Sequence, residues 1–219
     1  MKLSIEVTSD FICPWCRIAE ARLDVVLKTL PEDVEVEVNW LPFELNPDMP
    51  LEGMDRVTYR SRKFGSWDYS QKLDAHTEEA AAGDDVKFNY TAMKRVPNTR
   101  AAHRLIWLAG KTNMQTILIE RLFRAYFQEG KDIGDHDVLA DIASEAGMNR
   151  LNVKTFLAGH DGEAEVIQQE YCARRNKINS VPSFNIGGVR VSGAVSAEIL
   201  IQHINEAINN QSKREVKDV

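Results

Sequence analysis

The chain has 219 residues, of which 43% are hydrophobic and 27% are charged, and its formal net charge at pH 7 is −6. This composition is typical of a globular protein and excludes an intrinsically disordered chain. An acidic chain lacks the basic face that nucleic-acid binding requires, and no apolar run approaches the length of a membrane span. The first seven residues contain no apolar run typical of a secretory signal. We therefore expect a cytoplasmic protein that binds neither nucleic acid nor a membrane.

The first fifty residues predict a strand, a helix and a second strand. Leu3, Ile5 and Val7 lie on one face of the first strand, because successive side chains in a strand point to opposite faces. From Pro14 to about Leu30, the apolar residues recur at the spacing of a buried helical face. Apolar and polar residues alternate from Val34 to Trp40, which predicts a second strand with one wetted face.

The next part of the chain, from about residue 51 to residue 177, has the pattern of successive helices. Glycines punctuate it as they do at helix ends, and Asn98 and Asp135 are candidate N-caps. The predicted helices are Arg56–Phe64, Gln71–Ala82, Thr99–Lys111, Met114–Gln128, Asp137–Ala146, Asn152–Leu157 and Glu163–Arg175. This segment is a candidate lid over the rest of the molecule.

Strand periodicity returns after Ser180. Two short strands, Ser183–Ile186 and Val189–Val191, flank Gly187-Gly188, a pair that suits a two-residue hairpin turn, and an amphipathic helix follows. The order β-α-β, helical block, β-β-α predicts an α/β protein with a thioredoxin fold and a large α-helical insertion between its two halves. We expect residues 1–50 and 178–219 to form the thioredoxin-like domain and residues 51–177 to form the insertion.

The motif Cys13-Pro14-Trp15-Cys16 lies where the first strand gives way to the first helix. Unpaired backbone amides at a helix N-terminus stabilise a thiolate, which is the form of cysteine that attacks a disulfide. Cys16 lies one turn further on and can resolve the mixed disulfide that Cys13 forms. Pro14 suits the first helical turn, and Trp15 supplies an apolar surface for substrate.

A zinc site is the alternative interpretation of this cysteine spacing. A tetrahedral site needs two further ligands, and the chain offers only Cys172 and five scattered histidines outside the motif. We therefore expect no metal, and the predicted chemistry requires no organic cofactor.

Several other chemically notable residues have structural interpretations. His103 is expected to be a buried, hydrogen-bonded histidine and not a catalytic base. Cys172 is expected to be a small buried or half-buried side chain, with a redox partner as the alternative. Phe123, Tyr126 and Phe127 are expected to form the core of the insertion, and not a substrate box.

Val181-Pro182 immediately precedes the first strand of the predicted hairpin. Local statistics favour a trans peptide bond there, because only about 5% of such bonds are cis in folded proteins. However, the position of the motif, after the helical block and before the hairpin, favours a cis bond instead. A cis bond would let Val181 offer its backbone amide and carbonyl to a visiting strand. Val181 and Pro182 are therefore predicted to bind substrate.

Distinctive motifs are spread over nearly the whole length of the chain. They are Ser9-Asp10-Phe11-Ile12-Cys13-Pro14-Trp15-Cys16, Phe43-Glu44-Leu45-Asn46-Pro47-Asp48, Asn98-Thr99-Arg100-Ala101-Ala102-His103-Arg104-Leu105, Ala125-Tyr126-Phe127, Asp132-Ile133, Val181-Pro182-Ser183-Phe184 and Ser192-Gly193-Ala194. In this combination the sequence resembles the DsbA-like oxidoreductases of the FrnE subgroup. The resemblance implies a thioredoxin core with a helical insertion, redox-active Cys13 and Cys16, and a cis Pro182 facing them.

The predicted function is thiol-disulfide exchange with protein or small-molecule substrates, glutathione among them. Kappa-class glutathione transferases and hydroxychromene-carboxylate isomerases share this architecture but carry serine where this chain has Cys13, so a glutathione-dependent transferase or isomerase is the second hypothesis. A holdase chaperone, in which the helical insertion binds unfolded clients, is the third. The direction of exchange, the natural substrate and the oligomeric state remain open at the level of sequence.

Overall fold

A computed structural model describes residues 2–215 of the chain. Its strands are β1 (Lys2–Ser9), β2 (Glu35–Pro42), β3 (Met54–Asp55), β4 (Arg95–Val96), β5 (Ser183–Ile186) and β6 (Val189–Ser192). Its helices are α1 (Pro14–Leu27), α2 (Arg56–Phe64), α3 (Trp67–Ala80), α4 (Arg100–Gly110), α5 (Gln115–Phe127), α6 (His136–Glu145), α7 (Arg150–Ala158), α8 (Glu163–Arg175) and α9 (Ala197–Glu215).

The main sheet has four strands in the order β2-β1-β5-β6. β1 is central: it runs parallel to β2 and antiparallel to β5, and Val7 lies between Trp40 and Phe184. β1 is paired along both of its edges, and its side chains Leu3, Ile5 and Val7 are almost inaccessible to solvent. This is the predicted thioredoxin arrangement with helices inserted between its β-α-β and β-β-α halves.

The helices cover this sheet. α1 packs against α9, which also lies on β5, while α4, α5 and α8 lie against β2. The insertion also contains a small antiparallel sheet in which β3 pairs with β4, a feature that the helical pattern did not predict. Two residues on each strand are too few to produce a visible alternation of apolar and polar residues. No helix in the described part of the chain is long and apolar enough to cross a membrane.

Local chemistry explains most of the helix and turn boundaries. As predicted, Asp135 caps α6, where its side chain accepts hydrogen bonds from the backbone amides of Asp137 and Val138. Gly187 and Gly188 have φ angles of 58° and 91°, which a two-residue hairpin turn requires and which other residues rarely adopt.

The expected N-cap at Asn98 is off by one residue. α4 begins after Thr99, and the Asn98 side chain accepts the amide of Arg100 while donating to the carbonyl of Met49. The Asn98 side chain therefore still accepts a hydrogen bond from an otherwise unpaired amide at the start of α4, but it does so from the position before the N-cap. Its second hydrogen bond connects the helix to the loop that contains Met49.

Candidate functional site

Cys13 lies at the N-terminus of α1. It is the N-cap residue, its carbonyl accepts the first helical hydrogen bonds from the amides of Cys16 and Arg17, and Pro14 occupies the first helical position. No side chain caps this helix end, so the Trp15 amide, which has no hydrogen-bond partner among the described residues, and the positive end of the helix dipole favour a charged group on Cys13. The thiol is free in this structure and its residue is 5% exposed. The predicted position of Cys13 at the start of the helix is confirmed.

Cys16 is more deeply buried and is also a free thiol, with 1% of its surface exposed. Burial raises the pKa of Cys16 well above its usual value, and the neighbouring Cys13 thiol adds to this rise. The nearby Ser9 side chain and Asp10 backbone partly oppose this rise in the pKa. Cys16 is therefore held as a neutral thiol until a base removes its proton.

The loop before β5 places Val181 beside Cys13. The Cys13 thiol lies 3.7 Å from the backbone carbonyl oxygen of Val181. The Val181-Pro182 peptide bond is cis, as predicted. Within residues 2–215 the amide of Val181 has no hydrogen-bond partner, whereas the Pro182 carbonyl accepts the amide of Gly193.

A cavity of about 330 Å³ opens beside the dithiol. Cys13, Pro14 and Trp15 form one wall, and the Trp15 ring meets His76 of α3 edge-on at 5.5 Å. The remaining lining residues are mostly apolar or aromatic and include Ile12, Leu45, Tyr59, Phe64, Leu73, Tyr90, Met93, Val96, Tyr126 and Phe127. The dithiol therefore adjoins a pocket large enough for a peptide side chain or a small thiol.

The far wall of this cavity is basic. Arg56 and Arg60 both pair with Asp74, at 2.7 and 2.8 Å, and Lys63 lies beside them. Asp74 is the one carboxylate among the residues that line the cavity, so three cations face a single anion. Burial lowers the pKa of Arg60, against the opposing effect of Asp74. The wall carries a net positive charge that favours an anionic ligand.

Three motifs that are far apart in sequence meet beneath the dithiol loop. Asp10, which precedes the dithiol, accepts the amide of Leu45 at 2.8 Å. The adjacent Glu44 accepts a hydrogen bond from Arg100 of α4 at 2.7 Å. Burial raises the pKa of Glu44, and the hydrogen bond from Arg100 opposes this effect. These contacts hold the loop that carries Cys13 against the insertion.

Some of the predictions for the remaining residues are confirmed and others are wrong. His103 is buried as predicted, but its Nε2 atom has no hydrogen-bond partner among the described residues and lies 3.5 Å from Asp10 Oδ1. Phe123, Tyr126 and Phe127 are buried in the core as predicted, although the last two also line the cavity beside Cys13. The expectation for Cys172 is wrong: it is exposed, and its sulfur accepts a hydrogen bond from Gln168 one turn away. Cys172 lines an open cavity between α8 and the strands β1, β5 and β6, where its side chain stays accessible to solvent.

The basic wall of the cavity was not predicted from the sequence. Residues 60–63 read Arg-Ser-Arg-Lys, a charge cluster that could have been identified from the sequence alone. Asp10 and Glu44 were part of the motifs that carry the family resemblance, but nothing local indicates that they meet. In the part of the chain that the structure describes, no three His, Cys, Asp or Glu side chains form a group that could hold a metal ion.

Comparison with known proteins supports a common ancestry over the full length. An uncharacterized protein of Bacillus subtilis strain 168, YwbO, is 30% identical over 217 residues, which is 98% of this chain and 100% of that protein. A probable DsbA oxidoreductase from Streptomyces coelicolor superposes with a TM-score of 0.84 at 27% identity, covering 94% of this chain and 90% of the other.

A more distant structure shares the fold alone. The cytosolic disulfide reductase DsbM from Pseudomonas aeruginosa, solved with GSH, has a TM-score of 0.64 and 14% identity and covers 97% of this chain and 100% of its own. The sequence profile of the DSBA-like thioredoxin domain matches residues 4–205. With the strand order, the dithiol at the start of α1 and this match, the chain belongs to the family of DSBA-like thioredoxin domains.

Proposed function

We propose that this chain is a thiol-disulfide oxidoreductase in which Cys13 is the nucleophile and Cys16 the resolving cysteine. The observation that carries the proposal is the position of Cys13, which lies at a helix N-terminus, beside an open cavity and against the carbonyl of Val181. The helix end favours the thiolate, the cavity admits a substrate, and the buried partner thiol is one helical turn away.

In the proposed reaction, the Cys13 thiolate attacks one sulfur of a substrate disulfide and forms a mixed disulfide with it, while the substrate's sulfur–sulfur bond breaks and its other sulfur leaves as a thiolate. Cys16 then attacks the Cys13 sulfur, closes the protein disulfide and releases the substrate thiol. The same steps run in reverse when the protein donates its disulfide.

Pro14, Trp15, Val181 and Pro182 are proposed to bind the substrate on the two sides of Cys13. The unpaired amide of Val181 and its carbonyl are the backbone groups that an extended peptide pairs with when it adds to a strand edge. Trp15 offers a half-buried aromatic face at the mouth of the cavity. A protein substrate would therefore place its backbone along Val181 and a side chain over Trp15.

Small anionic thiols, glutathione among them, are proposed as a second substrate class. The wall formed by Arg56, Arg60 and Lys63 suits a carboxylate, and the apolar remainder of the cavity suits the rest of a small molecule. The structure of the Pseudomonas aeruginosa reductase with GSH agrees with this proposal. Because Cys13 stands where the related transferases carry serine, we favour exchange over conjugation or isomerisation.

We further propose that the protein is cytoplasmic and belongs to the FrnE subgroup. The fold shared with the cytosolic reductase of Pseudomonas aeruginosa supports the first of these proposals, and the shared motifs support the second. We also propose that residues 1–50 and 178–219 form one domain and residues 51–177 a second. The four-stranded sheet is built entirely from the first set of residues, whereas β3, β4 and helices α2 to α8 come from the second.

The experiment that tests the proposed function is substrate trapping in cells. A Cys16→Ala variant retains the nucleophile but cannot resolve, so client proteins should accumulate on Cys13 as bands of higher mass on non-reducing gels. Reductant should collapse these bands to the single chain. Adding Cys13→Ser should abolish them, while Cys172→Ser, which removes an exposed thiol outside the site, should leave them unchanged.

The trapped species also distinguish the rival functions. A transferase predicts at most a glutathione adduct on the protein, which mass spectrometry would detect. A holdase predicts no reducible adduct, and protection of an aggregating client should survive loss of both Cys13 and Cys16. Adducts that persist without Cys13 and Cys16 and vanish only with Cys172→Ser would show that we have assigned the wrong nucleophile.

A further inference from the structure

A second cavity, here called the α8 cavity, lies between α8 and one face of the main sheet. Its volume is about 390 Å³, and it shares no lining residue with the cavity beside Cys13. Most residues that line it are polar: the sheet contributes Glu6, Thr8, Ser183, Asn185 and Arg190, and α8 contributes Cys172. A helix packed directly on these side chains would bury polar groups without partners, so this face of the sheet favours a polar ligand or water over close packing.

The register of the strands arranges the polar side chains of the sheet in two rows. Glu6 of β1, Asn185 of β5 and Arg190 of β6 are neighbours across three strands. Thr8 and Ser183 form a second row, two residues further along β1. Because alternate residues of a strand point to the same face, both rows face the α8 cavity, which all five residues line.

The two hydroxyl groups of the second row are unpaired. Thr8 is 2% exposed and Ser183 is 3% exposed, and neither side chain has a hydrogen-bond partner among the described residues. Their hydroxyl oxygens are nevertheless not shut off from solvent, so the small exposed area of each residue opens into the cavity that it lines. Buried polar groups normally have partners, and these two hydroxyls are available to a polar ligand on the floor of the cavity.

The first row carries one charge of each sign. One oxygen of the Glu6 carboxylate accepts a hydrogen bond from the Asn185 side chain at 2.8 Å, which leaves the other oxygen for a ligand. Arg190 is exposed and has no hydrogen-bond or ion-pair partner in the part of the chain that the structure describes. Neighbouring strands are about 4.8 Å apart, so these two charged side chains can reach the opposite groups of one small zwitterion.

Cys172 supplies the reactive group of the α8 cavity. Its thiol is free and exposed, and its sulfur accepts a hydrogen bond from the Gln168 side chain at 3.5 Å. An accessible thiol exchanges with small disulfides through its thiolate form. The cavity therefore combines a reactive sulfur with groups that can bind the rest of a small thiol.

We propose that Cys172 forms a mixed disulfide with a small zwitterionic thiol of the α-amino-acid type, which the α8 cavity binds. The carboxylate of the ligand faces Arg190, its ammonium group faces Glu6, and the hydroxyls of Thr8 and Ser183 bond to either group. This modification is independent of the proposed function, because it uses a different thiol and a cavity that shares no residue with the one beside Cys13.

The modification is a single exchange step with an amino-acid disulfide such as cystine. The Cys172 thiol loses its proton to solvent, and its sulfur forms a bond to one sulfur of the disulfide. The sulfur–sulfur bond of the disulfide breaks, and its other half leaves as a thiolate with the electron pair of that bond. Cys172 is oxidised and the small disulfide is reduced, and an excess of small thiol reverses the step.

The test measures how strongly the folded protein stabilises the mixed disulfide. In a Cys13→Ser, Cys16→Ala protein, Cys172 is the remaining cysteine. This protein is equilibrated with fixed ratios of a small thiol and its disulfide, and intact mass spectrometry measures the fraction that carries the adduct. Each half of cystine carries an ammonium group and a carboxylate, whereas cystamine lacks the carboxylates and dithiodipropionate lacks the ammonium groups. The same protein in concentrated urea is the reference, because it has the thiol without the cavity.

The folded protein should favour the zwitterion. The ratio of the folded to the unfolded equilibrium constant should be about threefold or more higher for cystine than for either other disulfide, a size that partly exposed ion pairs reach. Arg190→Met should lower the cystine ratio to that of cystamine, and Glu6→Gln should lower it to that of dithiodipropionate. Thr8→Val, which removes a hydroxyl at nearly constant volume, should also lower it. Arg62→Met, at an exposed arginine of α2 outside the cavity, is the matched control and should leave every ratio unchanged.

Three results would overturn the inference. The first is a folded equilibrium constant for cystine that equals the unfolded one, because Cys172 would then be an exposed thiol without a binding site. The second is the same ratio for all three disulfides, and the third is a cystine ratio that Arg190→Met leaves unchanged. Failure of the proposed function would not affect any of these results, because the protein used lacks both Cys13 and Cys16.

Discussion

The two cysteines of the dithiol have different environments although they are only three positions apart. Cys13 ends the loop and lines an open cavity, whereas Cys16 faces inward, where burial raises its pKa. This difference supports the proposed roles, in which Cys13 attacks the substrate disulfide and Cys16 resolves the mixed disulfide.

The order of alkylation should follow from this difference. In a reduced Cys172→Ser protein, limiting iodoacetamide near neutral pH should modify Cys13 well before Cys16, because the buried thiol is both inaccessible and protonated. Peptide mapping by mass spectrometry measures the two yields. Faster labelling of Cys16 would reverse the assignment of roles. The Cys172→Ser background is needed because Cys172 is exposed and would compete for the reagent.

A buried ion pair on α1 should make stability depend on pH. Burial raises the pKa of Glu20 to about 7, although Arg17 beside it opposes the rise. Since the unfolded pKa is about 4.5, the folded state binds more protons between these values. The stability from neutral Glu20 is therefore complete below about pH 4.5 and is lost as pH rises through about 7, by about 3 kcal/mol at most.

Chemical denaturation at several pH values from about 5 to about 8 would measure this loss. The matched control is the double variant Arg17→Leu, Glu20→Leu, which replaces the whole pair and avoids leaving one charge buried alone. Its free energy of unfolding should vary less with pH than that of the wild type. Parallel curves for the two proteins would contradict the assignment to Glu20.

At the scale of elements, the insertion is held together by close backbone approaches as well as by helix packing. Gly130, after α5, has a φ angle of 67°, and a Cβ atom there would lie 2.5 Å from the carbonyl oxygen of Ala92. The loop after α5 and the segment before β4 can meet only because this position lacks a side chain.

Gly130→Ala should therefore destabilise the protein more than an alanine at another left-handed glycine. Gly65, the C-cap of α2, has a φ angle of 92°, and no atom lies within 4 Å of the position that a Cβ atom would take, so Gly65→Ala should cost only backbone strain, of about 1 to 3 kcal/mol. Gly130→Ala should exceed this cost by more than about 1 kcal/mol, because backbone atoms must also move. Equal losses in thermal or chemical unfolding would contradict the steric explanation.

At the scale of the whole molecule, one arginine joins the thioredoxin core to the insertion. Arg22 of α1 pairs with Asp84 and donates to the carbonyls of Ala80, at the end of α3, and Ala194, after β6. α3 also forms part of the lining of the cavity beside Cys13, here called the α3 wall. The contacts of Arg22 thus set where that wall lies relative to the dithiol.

Arg22→Met should loosen the α3 wall without unfolding the core. Amide hydrogen exchange in residues 67–84 should become faster while exchange in β1 is unchanged, and overall stability should fall by about 1 to 3 kcal/mol, since several charge-assisted hydrogen bonds are lost. Arg62→Met, at an exposed arginine of α2, is the matched control and should change neither. A uniform increase in exchange across the chain would mean that Arg22 supports the whole fold.

Local sequence patterns predict the order of the longer elements and the position of the dithiol. Strand alternation around Ile5, the helical spacing after Pro14 and the Gly187-Gly188 turn are local signals, because they depend on neighbours within a few residues. For the same reason, Cys13 could be placed at the start of α1. The two-residue strands β3 and β4 carry too little pattern to be recognised in this way.

Contacts between groups that are distant in sequence are visible in the folded chain and not in the local patterns. The thiol of Cys13 and the carbonyl of Val181 are separated by 168 positions, and the contact of Asp10 with His103 joins a loop to a helix of the insertion. The burial of Cys16, the exposure of Cys172 and the two cavities likewise depend on which elements pack against each other. Such contacts follow from the packing of the whole chain, and no local periodicity encodes them.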